Sequence, residues 1–159
     1  VMKDINFINL KEDPSPELSE KVISTWTIHR VLSGQQALNR VNQVVYIATH
    51  KDTVVGITTA YLSKIRQLNN NLMYVFRGMI IPGFRIPGLM VRLSKLTFKY
   101  LEEVSKKESS RPLGLIMEVE NPKYKSLQLT TTPNEFSLMG FSQRGHPIYV
   151  KYFKRVYYK

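Results

Sequence analysis

The sequence predicts a mixed α/β domain: a sheet covered by helices, with one strand–loop–helix–strand crossover that runs parallel. Three observations carry this. β-Branched and aromatic runs recur at Val44–Thr49, Val54–Leu62 and Leu72–Ile81, the composition of strands. The apolar residues then step by three and four along Leu89, Leu93, Leu96, Tyr100 and Val104, the spacing of a buried helix face. Between the two regimes lies Pro82-Gly83-Phe84-Arg85-Ile86-Pro87-Gly88, through which no strand continues.

The remaining elements follow in chain order. Ile5–Leu10 alternates apolar and polar residues except at Phe7, so a short strand is expected. Ser15 is placed to cap a helix that opens at Pro16 and carries Leu18, Val22, Ile23, Trp26 and Ile28 on its apolar side. Ser33-Gly34 punctuates the chain, and a second short helix covers Gln35–Val41. Val44–Thr49 and Val54–Leu62 form a hairpin about Lys51-Asp52, and Asn69–Asn71 is a loop. Gly78, inside the third long strand, marks a bulge or a close backbone approach. Lys106-Lys107 falls in the last turn of the helix begun at Leu89, where cations suit the dipole. Leu113–Val119 is a continuous apolar run, the mark of a strand buried on both faces. Asn121-Pro122 opens a helical stretch that Thr130–Asn134 interrupts; a last strand at Ile148–Phe153 completes the order β-α-α-β-β-β-α-β-α-β, to which a short strand at Phe141–Arg144 adds one more. The crossover from Leu72 to Val119 is expected to be right-handed.

Composition bounds the function. The chain has 159 residues, 43% of them hydrophobic, enough for one core, so residues 1–159 read as a single domain. Cysteine is absent, which excludes a disulfide scaffold, a thiolate metal site and a cysteine nucleophile. His29, His50 and His146 are too scattered to suggest a metal cluster. No apolar run approaches the roughly 20 residues of a membrane span, and VMKDINF, with Asp4, does not read as a secretory signal. A cytoplasmic setting is the expectation.

Charge is the first positive clue. The formal net charge is +11. Residues 53–101 hold Lys64, Arg66, Arg77, Arg85, Arg92, Lys95 and Lys99 and no acid; residues 136–159 hold Arg144, Lys151, Lys154, Arg155 and Lys159 and again no acid. Such a field attracts phosphates, nucleic acid, anionic lipid or an acidic protein, and it equally suits a merely soluble basic surface.

The stretch 82–90 is the most informative. The first N–H groups of a helix have no internal partner and carry the positive end of its dipole, so an anion sits there readily. Gly83 and Gly88 keep the backbone bare, Pro87 presets a helix start, and Arg85 and Arg92 add charge. Two readings of the residues stand: a diphosphate cradle, and an ordinary strand-to-helix turn.

Ile80-Ile81-Pro82-Gly83-Phe84-Arg85-Ile86-Pro87-Gly88-Leu89 resembles the signature of the GNAT superfamily of N-acetyltransferases, in which a strand leads through Pro-x-aromatic-Arg-x-x-Gly-Ile/Leu-Gly/Ala into an amphipathic helix. Met90 stands where that pattern has a small residue; its side chain either narrows the cradle or points away. Val44–Tyr61 is similar to the family's central hairpin, and Leu113–Asn121 with Leu138-Met139-Gly140-Phe141 to its fifth strand and Leu-Gly-Phe turn. The resemblance implies a mostly antiparallel sheet flanked by helices, with a cleft where the third long strand splays from its parallel neighbour. It implies acetyl-CoA or another acyl-CoA as co-substrate and no metal. The pantetheine arm would pair with Met79, Ile80 and Ile81, an amide near Ile80 would polarise the thioester carbonyl, and the diphosphate would rest on Ile86, Pro87, Gly88, Leu89 and Met90 beside Arg85, with Asn121 also contributing.

The implied chemistry is direct attack by a primary amine, which needs two reactants held together and one proton removed. The family's glutamate on the splayed strand is missing, and Phe136 stands where a tyrosine would protonate the leaving thiolate. Glu118 and Glu120 are the substitute candidates for a base, or plain solvated acids at a strand end; Tyr124 is a candidate acid among nine tyrosines. The leading expectation is therefore an N-acyltransferase whose acceptor is anionic, because a polyamine would be repelled. A second is an acyl synthase that takes its acyl group from acyl carrier protein, with Met73, Met79, Met90 and Phe84 lining an acyl tunnel or simply filling the core. A third is a non-catalytic module of this fold whose charge serves nucleic acid.

Overall fold

A computed structural model describes residues 2–120, 132 and 134–154. The elements are β1 (Ile5–Asn9), α1 (Pro16–Ile28), α2 (Gly34–Arg40), β2 (Val44–His50), β3 (Thr53–Ile65), β4 (Asn71–Ile80), α3 (Leu89–Ser105), β5 (Gly114–Glu118), β6 (Ser137–Phe141) and β7 (Pro147–Tyr152). Seven strands hydrogen-bond in the order β1-β2-β3-β4-β5-β7-β6. The sheet is mostly antiparallel, and β4 and β5 pair in parallel. The chain forms two compact units: Val1–Ala60 with Gly78–Thr97, and Tyr61–Arg77 with Phe98–Lys159. No helix among the described residues is long and apolar enough to cross a membrane.

In the first unit the helices begin where their caps dictate. Ser15 accepts from the Leu18 N–H at 3.2 Å, ahead of Pro16. Ser33 and Gln36 form a reciprocal capping box that starts α2. Val22 and Trp26 of α1 and Ala37 of α2 pack on Val44, Ile47, Val54 and Ile57 of the hairpin. Ile28, placed on the apolar side by its spacing, is 72% exposed because the helix ends there and its last turn overhangs the core.

The first unit holds a second cluster, which positions the candidate site. Leu89 and Leu93 of α3, both fully buried, pack with Ala48, Val55, Ile80 and Ile81. A relay of hydroxyls ties α3 to the hairpin. The register of β2 on β3 shifts between Val44 and Ile47, and within that irregularity the Tyr46 N–H donates to Thr58 Oγ1 at 3.1 Å. Thr58 Oγ1 lies 2.7 Å from Thr97 Oγ1, which donates to the Leu93 carbonyl at 2.8 Å. Thr58 therefore donates to Thr97, and each buried hydroxyl is satisfied.

In the second unit, β5 pairs with β4 at Tyr74↔Leu115 and Val75↔Ile116, with the Leu113 N–H donating to the Leu72 carbonyl at 2.9 Å. Met73, Ile116 and Val150 form its core with Ile65, Val75 and Met139 around them. Tyr74 is buried, and desolvation first, with the charge of Glu108 behind it, pushes its phenol up to about 12.

Two expectations are corrected. α3 ends at Ser105, so Lys106 and Lys107 lie past its last turn, where the Lys107 and Glu108 amides close short turns onto Val104 and Ser105. The strand near Gly140 is Ser137–Phe141, not Phe141–Arg144, because Ser142–His146 forms a hydrogen-bonded turn into β7. Gly78 lies inside β4, as expected. The expected helical stretch after Asn121 lies outside the described residues.

Gly114 meets β7 so closely that a Cβ built on it would lie 2.2 Å from the Lys151 carbonyl oxygen and 2.8 Å from Tyr152 Cα. Backbone cannot swing aside as a side chain can. Gly114→Ala is therefore expected to destabilise the protein by about 2–3 kcal/mol, the range of overpacking. Gly56→Ala, whose worst contact is the movable Leu93 Cδ1 at 2.7 Å, should cost less. Denaturant unfolding of the two variants checks the order.

Candidate functional site

The stretch between β4 and α3 is built from two successive Ile-Pro-Gly turns. In the first, Ile81-Pro82-Gly83-Phe84, the Phe84 N–H donates to the Ile81 carbonyl at 3.2 Å and Gly83 has φ +90°. In the second, Ile86-Pro87-Gly88-Leu89, the Leu89 N–H reaches the Ile86 carbonyl at 3.4 Å and Gly88 has φ +84°. Proline at the first central position and a left-handed glycine at the second are what a type II turn requires. Gly88 is also the N-cap of α3, since its carbonyl accepts from the Arg92 N–H at 2.9 Å. Pro87 thus lies in the second turn, two residues before the helix opens at Leu89 as its change of period indicates.

This geometry decides which amides are bare. Pro87 has no N–H. The Ile86 N–H donates to the Phe84 carbonyl at 2.7 Å, and that of Leu89 is committed to the second turn. Among the described residues, no backbone carbonyl accepts from the N–H groups of Gly88, Met90 and Val91. They stand at the positive end of α3. The Met90 side chain is partly buried and packs against the cluster that holds Leu89 and Leu93.

The end of β4 is equally specific. The Ile81 N–H donates to the Val55 carbonyl at 2.9 Å. Alternation along the strand then turns the Ile80 N–H and carbonyl away from β3. That carbonyl accepts from Arg85 Nε at 3.3 Å, so the exposed arginine is clipped to the strand end. Met79 packs on both first-unit clusters. Phe84 lies against His50, ring centroids 5.1 Å apart, and the Arg92 guanidinium sits 5.7 Å over the Phe7 ring.

In the second unit, Glu118 ends β5, and β7 pairs Ile148 against it. That register brings the β6–β7 turn onto its carboxylate. His146 Nδ1 lies 3.1 Å from Oε1, and Arg144 Nη2 lies 3.2 Å from Oε2. The same Nη2 donates to Glu120 Oε1 at 2.9 Å. A hydrogen bond from Ser142 is the main cause that holds the Glu118 carboxyl below the ordinary glutamate range; partial burial opposes it, and Arg144 and His146 reinforce it. Oxygen and nitrogen ligand atoms of Glu118, Glu120 and His146 lie within 4.8 Å of one another, but the Arg144 guanidinium already supplies the cation between the carboxylates.

Arg144 thus joins the exposed carboxylates of Glu118 and Glu120. His146 has a side chain only 18% exposed and lies against Glu118. Nothing local in the sequence signals this, because 28 residues separate His146 from Glu118. Phe136 is buried and packs 6.2 Å from the Phe76 ring, a core role. Asn121 and Tyr124 lie outside the described residues.

No protein-family model matches the chain, and no curated protein matches it by sequence. Solved structures do. A GNAT-family acetyltransferase from Streptococcus pneumoniae aligns with a TM-score of 0.63 and 11% identity over 94% of this chain and 99% of its own. NAA60 of Arabidopsis thaliana, in complex with a bisubstrate analogue, gives 0.60 and 17% over 94% and 98%. AtaTR bound with acetyl-CoA gives 0.60 and 17% over 96% of each chain.

The chain has the GNAT fold.

In GNAT-fold terms the signature is intact through Leu89, and the twin turns explain its spacing. A pH test follows from the Glu118 network. A carboxyl whose folded-state pKa is depressed stabilises the fold above its unfolded value and loses that contribution as pH falls through the lower one. Glu118→Gln is expected to lower the melting temperature at pH 7 by roughly 1–3 °C, the scale of a partly exposed ion pair. Melting curves should show the gap to wild type closing as pH drops below the ordinary value of 4.5.

Proposed function

We propose that this chain, acting as one domain, is an N-acyltransferase that moves an acetyl or other acyl group from acyl-CoA to a primary amine. The observation that carries the reading is the trio of unpaired amides at Gly88, Met90 and Val91, at the opening of α3 and directly after a strand end, in a chain of GNAT fold. Three N–H groups without a backbone acceptor at a helix N-terminus suit a diphosphate. The neighbours include structures holding acetyl-CoA and a bisubstrate analogue, which supports an acyl-CoA donor here.

In this mechanism the diphosphate rests on Gly88, Met90 and Val91, and Arg85 adds charge while keeping its clip on Ile80. The pantetheine arm runs along the side of β4 that turns away from β3, so Ile80 takes a greater part than Met79 or Ile81. The Ile80 N–H donates to the thioester oxygen as negative charge develops there. The amine nitrogen attacks the carbonyl carbon, the C–N bond forms, and the C–S bond breaks to release the coenzyme A thiolate. The amine gives up one proton. Solvent water accepts it. The acid-free basic stretches favour an acceptor carrying negative charge.

Acetyl-CoA at about 100 times its dissociation constant should stabilise the protein by about 2.7 kcal/mol, a rise of roughly 5–10 °C in melting temperature. Arg85→Glu should reduce that rise more than Lys107→Glu. No rise with any CoA thioester counts against the reading.

A further inference from the structure

The Tyr61–Arg77 end of the β3–β4 hairpin plays no part in the acyl-transfer reading, and its chemistry is distinctive. It lies wholly in the second unit. β3 carries on to Ile65, past Thr59, its last recorded partner on β2. The segment contains Lys64, Arg66 and Arg77 and no acid. All three cations are exposed. Among the described residues, no carboxylate lies within ion-pair distance of any of them. The Arg77 guanidinium sits 5.8 Å over the Tyr61 ring. The tip is made of Asn69 and Asn70, both left-handed, and Asn71, all three exposed.

We propose that this hairpin end binds the sugar–phosphate backbone of single-stranded nucleic acid, with a base stacking on the Arg77–Tyr61 pair. Charge complementarity selects a polyanion. The surface chemistry selects nucleic acid over an acidic protein. Protein interfaces have an apolar core, whereas the sole large apolar side chain exposed on this segment is Leu62, at 39%. Nucleic-acid interfaces are polar and strongly positive, and an arginine stacked on an aromatic ring is the platform on which bases stack without sequence preference.

Fluorescence anisotropy of labelled oligouridylate, titrated with the full chain from about 50 to 200 mM salt, tests this. Wild type should bind at the low end, and the slope of log K on log salt should flatten by about 2 in K64E/R66E/R77E, three contacts at about 0.7 each. Tyr61→Ala should weaken binding with the slope unchanged. K3E/K11E/R30E, an equal charge change elsewhere, should leave the slope as it was. Should circular dichroism show the reversal variant unfolded, K64Q/R66Q/R77Q carries the same expectation. No binding at low salt, an equal loss in K3E/K11E/R30E, or displacement by polyglutamate of matched charge as effective as by unlabelled oligouridylate would each overturn the proposal. Acetyl-CoA stabilisation is read separately, so failure here leaves the acyl-transfer reading standing, and the reverse holds.

Discussion

The left-handed backbone at Gly83 and Gly88 is the constraint on which the candidate site depends. Each glycine occupies a conformation that costs an L-residue with a side chain about 1–3 kcal/mol, and each follows a proline that presets the preceding dihedral. The two turns take the chain from the end of β4 to the start of α3 and decide which amides they consume. Phe84, Ile86 and Leu89 spend their N–H groups inside the turns, and Gly88, Met90 and Val91 do not. Nothing lies within 4 Å of where a Cβ would sit on Gly83 or Gly88, so backbone conformation, not space, demands glycine at both.

The turns would be of little use on a loose scaffold. The Ile81 N–H bond to Val55 fixes where the strand stops, and Arg85 clips the loop back to the Ile80 carbonyl. Buried Leu89 and Leu93 hold the first turns of α3 to the hairpin, and the relay from Tyr46 through Thr58 and Thr97 to Leu93 fixes its rotation. The relay is buried and fully paired, so losing either hydroxyl leaves an unsatisfied group behind, typically a cost of about 1–3 kcal/mol. Rigidity of this kind lets bare amides meet an anion without paying to order a loop.

Local chemistry was legible in the sequence. Ser15 and Ser33 mark helix starts through their own side chains, the period change at Leu89 locates α3, and the Pro-x-aromatic-Arg-x-x-Gly stretch points to the fold. The repeat of Ile-Pro-Gly at 81–83 and 86–88 is present in the sequence and signals two successive turns ahead of the helix. What could not be read is set by pairing between distant segments. His146 meets Glu118 because β7 lies antiparallel to β5, and one residue of register slip would send it elsewhere. The exposure of Ile28 and the early end of α3 at Ser105 depend on where the core stops, which periodicity does not encode.

Amide chemical shifts in a nitrogen-15-labelled sample, titrated with coenzyme A, test residue by residue whether the opening of α3 is an anion site. The Gly88, Met90 and Val91 resonances should move together and furthest, while that of Ile86, held by the Phe84 carbonyl, should move little. Saturable binding that shifts amides elsewhere and leaves these three in place would contradict it.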